Sequence, residues 1–116
     1  PLFQRVVARI HDVNTGDNNG GWTALMIAAE NNQLDVVISL MNHPRIDLNV
    51  QGGWNNYTAL HHAVRNNHPA IVSQLLSDDN INANLKDIKN HTPLKDAIDL
   101  NHPECVKILQ DYGAQV

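Results

Sequence analysis

The sequence predicts an all-α solenoid, in which helix–turn–helix units stack side by side and are joined by β-hairpin-like turns. Three observations carry that prediction. Gly21-Trp22-Thr23-Ala24-Leu25, running to Ala28-Ala29, recurs as Asn56-Tyr57-Thr58-Ala59-Leu60 running to Ala63-Val64, and again as Asn90-His91-Thr92-Pro93-Leu94 running to Ala97-Ile98. The threonines are 35 and then 34 positions apart, the length of one supersecondary unit. Behind each segment lies a second apolar stripe at helical spacing: Val36, Val37, Leu40, Met41; then Ile71, Val72, Leu75, Leu76; then Cys105, Val106, Ile108, Leu109. Such a unit cannot bury its apolar face alone, so copies pile up and leave an extended surface for contact.

Each element follows from its residues. Thr23, Thr58 and Thr92 place a hydroxyl where it can cap the free amides of a first helical turn. Pro93 follows at the first helical position, where a missing N–H costs nothing. Leu25, Leu60 and Leu94 then face inward, with Ala28, Ala63 and Ala97 on the same side, small enough to let paired helices approach. Asn31-Asn32, Asn66-Asn67 and Leu100-Asn101 break the first helices. Pro69 and Pro103 fit the opening turns of the second ones. Extended asparagine-rich stretches then lead to turns at Gly52-Gly53 and at Asp87 through Asn90. Asparagine clusters between the apolar segments because its side chain satisfies turn backbone and tolerates the left-handed conformation.

The units are expected at residues 14–48, 49–83 and 84–116. Leu2, Phe3, Val6 and Val7 repeat the second-helix spacing, so residues 1–13 are expected to be the second helix of a truncated preceding unit, either a cap or a stump. The start at Pro1 rather than methionine suggests a fragment or a processed chain.

Composition narrows the function classes. The formal net charge is −4 and the basic residues are scattered, which argues against nucleic acid, since a basic stripe is needed to displace counterions. No run of eighteen apolar residues suggests a membrane span. The single Cys105 has no mate for an internal disulfide, which fits a reducing compartment, and the expected location is cytoplasmic, with the nucleus, or a host cytosol for an effector, as intracellular alternatives.

These residues resemble the ankyrin repeat family, whose unit is a β-turn and two helices carrying a Thr-Pro-Leu-His-x-Ala signature. Thr58-Ala59-Leu60-His61-His62-Ala63 matches it with alanine for proline. Thr92-Pro93-Leu94-Lys95-Asp96-Ala97 has lysine for histidine, and Thr23-Ala24-Leu25-Met26-Ile27-Ala28 has alanine and methionine. Asn67-His68 and Asn101-His102 resemble the family's Gly-His between helices, and Tyr112-Gly113-Ala114 its Gly-Ala ending. Two features depart from the pattern. The turns from Asn14 to Thr23 and from Asn49 to Thr58 are one residue longer than that from Asn84 to Thr92, so they are expected to be irregular. Glycine before the threonine survives only as Gly21.

Chemistry finds little support. Seven histidines invite a metal reading, yet His68 and His102 are equivalent positions of successive units and His61 is the signature histidine. No Cys-x-x-Cys or His-Glu-x-x-His spacing accompanies them. No Gly-x-Ser-x-Gly elbow or phosphate-cradling loop is present. Cys105 lies on an apolar stripe. No metal, no cofactor and no enzymatic activity are therefore expected.

The aromatic residues deviate from this bland picture. Of five, Trp22, Trp54 and Tyr57 fall in or beside turns rather than in helical cores, where large aromatics anchor interfaces. The resemblance implies a concave contact surface made by turn tips and the exposed side of each first helix. On this chain that surface would comprise Asn19, Trp22, Glu30 and Asn31; then Trp54, Asn55, Tyr57, Arg65 and Asn66; then Ile88, Lys89, His91, Asp99 and Leu100. Trp22 and Tyr57, aligned one residue before their threonines, could equally stack between units. Arg65 aligns between Glu30 and Asp99, so alternating charge is expected along the groove. The expected function is a non-enzymatic protein–protein interaction module, monomeric or part of a larger chain, with no nucleic-acid partner and no membrane insertion. The alternative is a structural spacer or scaffold segment of a longer array attached to a catalytic or effector domain elsewhere.

Overall fold

The computed structural model describes residues 13–16 and 21–116. The preceding helix expected over residues 1–13 lies, apart from Val13, outside the described residues, as does Asn19. Six helices are described, in three pairs: α1 (Ala24–Glu30) with α2 (Leu34–Met41), α3 (Ala59–Arg65) with α4 (Pro69–Leu76), and α5 (Pro93–Asp99) with α6 (Pro103–Tyr112). No strand forms among the described residues, and one antiparallel bridge joins Gly52 to Tyr57.

Threonine caps start every first helix. Thr23, Thr58 and Thr92 are extended, and each hydroxyl oxygen accepts the N–H three residues on, from Met26, His61 and Lys95, at 3.2 Å. His61 completes a capping box, because its Nδ1 accepts the Thr58 N–H at 3.1 Å. Pro69, Pro93 and Pro103 all stand at first helical positions. Helices of two or three turns are marginal alone in water, so packing must hold them.

Two rows result. First helices pack α1 on α3 on α5, and second helices α2 on α4 on α6. Leu25, Leu60, Leu94, Ala28, Ala63 and Ala97 are buried between them. The second-helix stripe is buried less evenly than its spacing suggests. Val36 is 43% exposed, whereas its equivalents Ile71 and Cys105 are fully buried. Conversely Val106 is half-buried and Gln110 exposed, where Val72 and Leu76 are buried. One edge of the stripe packs back onto the preceding pair and the other forward onto the next, so burial depends on neighbours.

The turns show why asparagine is abundant. Asn32, Asn67 and Asn101 between helices, and Asn56 and Asn90 before the threonines, have φ between 57° and 67°, a region few other side chains accept. Asn14, Asn49 and Asn84 form a ladder. The Asn14 amide donates to Arg45 O and its oxygen accepts Asp47 N–H, both at 2.7 Å. Asn49 repeats this with Asn80 O at 2.9 Å and Asn82 N–H at 2.8 Å, and Asn84 accepts Gln115 N–H at 2.9 Å. Between units, His68 Nε2, at the cap of α4, lies 2.9 Å from Glu30 O, and His102 Nε2, at the cap of α6, 3.3 Å from Arg65 O.

Of the two longer turns expected to be irregular, that from Asn14 to Thr23 includes residues 17–20, which lie outside the described residues; between the other two turns the irregularity falls on the shorter. The longer turn exchanges both backbone bonds between Gly52 and Tyr57, at 3.0 and 3.1 Å, its extra residue absorbed between left-handed Gly53 and Asn56. In the shorter turn Asp87 N–H donates to His91 O at 3.0 Å, but the return bond runs from His91 N–H to the Asp87 carboxylate.

Candidate protein-docking groove

Trp22 enters the groove because it immediately precedes the cap of α1. Its ring lies 4.3 Å from that of His62 on α3, tilted by 43°. Tyr57, at the same position one unit on, stacks on His61 at 5.6 Å and meets His62 edge-on at 5.4 Å. The Arg65 guanidinium caps the Tyr57 ring at 4.9 Å, and its Nη1 lies 3.4 Å from Asp96 Oδ1 on α5. His91 Nδ1 lies 3.3 Å from the same oxygen. These contacts leave a concavity of about 300 Å³ lined by Trp22, Glu30, Trp54, Tyr57, His62 and Arg65, together with Gly52, Gly53, Asn55 and Asn66. Gly53 lets the turn reach Trp22, for a Cβ there would sit 2.9 Å from the indole nitrogen.

His62 forms a floor with unspent bonding capacity. It is 3% exposed, its Nε2 has no hydrogen-bond partner, and its Nδ1 is 4.0 Å from Glu30 Oε1. Burial, followed by the charges of His61 and Arg65, pushes its pKa down to about 4. His61 is also lowered, chiefly by burial, and burial raises Tyr57.

The groove gathers Trp22, Glu30, Trp54, Asn55, Tyr57, Arg65 and Asn66 from the residues singled out by sequence. Asn19 falls outside the described residues, and the remaining described candidates do not line this concavity. Asn31 spends its side-chain amide on Ile27 O at 2.9 Å, closing α1, and Asn66 does the same for α3 with His62 O at 2.8 Å. Ile88 and Lys89 are exposed on the third turn. Leu100 caps the end of α5. Asp99 pairs with Lys95 at 3.0 Å. Arg65 is thus paired with buried Asp96 rather than with its aligned neighbour Asp99. Asp96 and His62 were not among the candidates. Both stand four residues after their threonines, where the first unit has Ile27.

Donor atoms of His61, Asp87 and Asp96 lie within 4.8 Å of one another, a grouping no sequence motif announced. Because His61 Nδ1 accepts from Thr58, its proton sits on Nε2, aimed at His91 O 3.0 Å away. Asp87 accepts the Lys89 and His91 N–H groups at 2.9 and 3.0 Å. A cation there would have to displace the His61–His91 bond. Cys105 is fully buried, and burial raises its thiol pKa, the opposite of what a nucleophile needs.

Threonine-capped helix pairs in register, joined by paired turns and open along one side, define a helical-repeat solenoid with a contact groove. The chain belongs to the ankyrin repeat family. A family model for ankyrin repeats (3 copies) matches residues 45–116, and a second, for ankyrin repeats (many copies), matches residues 7–63. The chain is similar to SMC5-SMC6 complex localization factor protein 1 of Bos taurus, 37% identical over 101 residues, and to that of Homo sapiens, 36% identical over 101 residues. Each alignment covers 85% of this chain and 9% of the relative. No helix among the described residues is long and apolar enough to cross a membrane.

Proposed function

We propose that this chain is a non-enzymatic docking module that holds a partner protein, or an extended segment of one, along its concave face and turn tips. Ankyrin repeats generally mediate protein–protein interaction, and the two relatives are named as localization factors for a complex. The observation that carries the reading is Trp54. It is 87% exposed at the mouth of a concavity that already holds Trp22 and Tyr57. Large aromatics in such places dominate interface energetics because they bury much area for little rotamer entropy.

Peptides selected against the folded chain from a displayed random library supply the probe. Trp54→Ala is expected to weaken their binding by about 2 kcal/mol or more, roughly thirtyfold, with the melting temperature nearly unchanged. Unaltered binding would remove Trp54 from the interface, and parallel loss of stability and binding would return it to a structural role. A second reading, a spacer within a longer array, draws on the small share of each relative that the chain spans. The complete parent sequence decides it: further repeats or a catalytic signature on either side favour the spacer.

A further inference from the structure

The tips of the second and third turns form one continuous edge, since the Ile88 N–H donates to Asn55 O at 2.9 Å. Behind them, Gln51 Nε2 donates to Lys86 O at 2.7 Å. Two apolar side chains stand out from this tethered edge, Trp54 at 87% and Ile88 at 67% exposure. Lys86 and Lys89, both exposed, flank Ile88. The lysine ion pairs among the described residues are Lys95–Asp99 and Lys107–Asp111, both within helices, so neither turn lysine is neutralised. Asp87, the one acid between them, is buried and turned onto backbone N–H groups. Residues 50–57 contain no acid at all. Within a chain of formal net charge −4, this edge is cationic and apolar.

We propose that the edge docks an acidic protein segment, in which an aromatic or aliphatic side chain set between carboxylates packs on Trp54 and Ile88 while the carboxylates meet Lys86 and Lys89. The proposal rests on the docking function and names the chemistry of the partner. Apolar burial would supply most of the affinity, and the lysines the orientation and the rate of encounter. Two lysines are too few for a polyanion held by counterion release, and fall short of the roughly four to eight clustered basic residues that read anionic membranes.

The library selection, repeated on Lys86→Glu/Lys89→Glu, tests this. Both side chains are exposed and their backbone bonds are retained, so the fold should persist, which circular dichroism and a thermal melt check. The unaltered chain is expected to enrich acidic peptides with a central aromatic or aliphatic residue. The charge reversal should weaken these at least tenfold and enrich basic peptides instead. Enrichment of neutral or basic peptides by the unaltered chain, or acidic binders indifferent to the reversal, overturns the proposal while leaving docking intact. Failure to enrich any peptide beyond an unrelated control protein overturns both. Phosphatidylserine vesicles or a single-stranded oligonucleotide that displace every enriched peptide in a lysine-dependent way would overturn a protein occupant.

Discussion

His62 is a buried base whose free state is neutral. Unfolded, it takes up a proton near the ordinary value of 6.5; folded, it resists until about pH 4. Between those values the unfolded chain binds more protons, so stability present above pH 6.5 is lost as pH falls towards 4. The loss is up to about 3 kcal/mol for this one group, and His61 shifts in the same direction. Urea denaturation at pH 7 and at pH 4.5 should show the decline, and His62→Leu should flatten most of it. An unchanged slope in that variant would sink the assignment. The role of His62 was not legible in the sequence. Spacing placed it beside His61 on a helix, but Trp22 and Glu30, which enclose it, come from the preceding pair. Asp96 is the same case, a carboxylate whose partner Arg65 lies one unit back.

Helices were far more legible than the groove. A threonine followed by a leucine two residues on and an alanine five on specifies cap, inward face and close approach within a single unit. All three first helices obey it. Ala63 is fully buried in the middle helix, between α1 and α5. Ala63→Leu should therefore overpack the stack and cost roughly 1–3 kcal/mol, read as a lowered denaturation midpoint at unchanged m. A variant as stable as the original would mean that the rows can part freely. The second helices were legible in position but not in burial. Val36 and Ile71 share one place in the pattern and differ because burial depends on what lies next door.

Across the whole molecule, the repeat period alone announced the architecture, since a stack repeats its neighbour contacts at each step. The asparagine ladder ties those steps together along the base of the turns. Asn49→Ala removes both of its bonds, to Asn80 O and from Asn82 N–H, and should cost about 1–3 kcal/mol in a thermal or urea melt. No measurable loss would show that water replaces the rung at no cost. The docking edge was only partly readable. Sequence offered Trp54, Ile88 and Lys89 as separate candidates; the bond from Ile88 to Asn55 makes them one surface.

The chain's single thiol, Cys105, is fully enclosed, with Sγ 3.8 Å from Asn67 Oδ1 of the preceding unit. A thiol reagent can reach that sulfur only while α6 has lifted away from α4. The rate at which intact protein takes up such a label is thus a clock for the opening of that seam, set by the same local fluctuations that govern exchange of buried amides. Anything bound across both turn tips should slow the clock without touching the sulfur, and labelling as fast as that of a free cysteine would mean the seam is never closed.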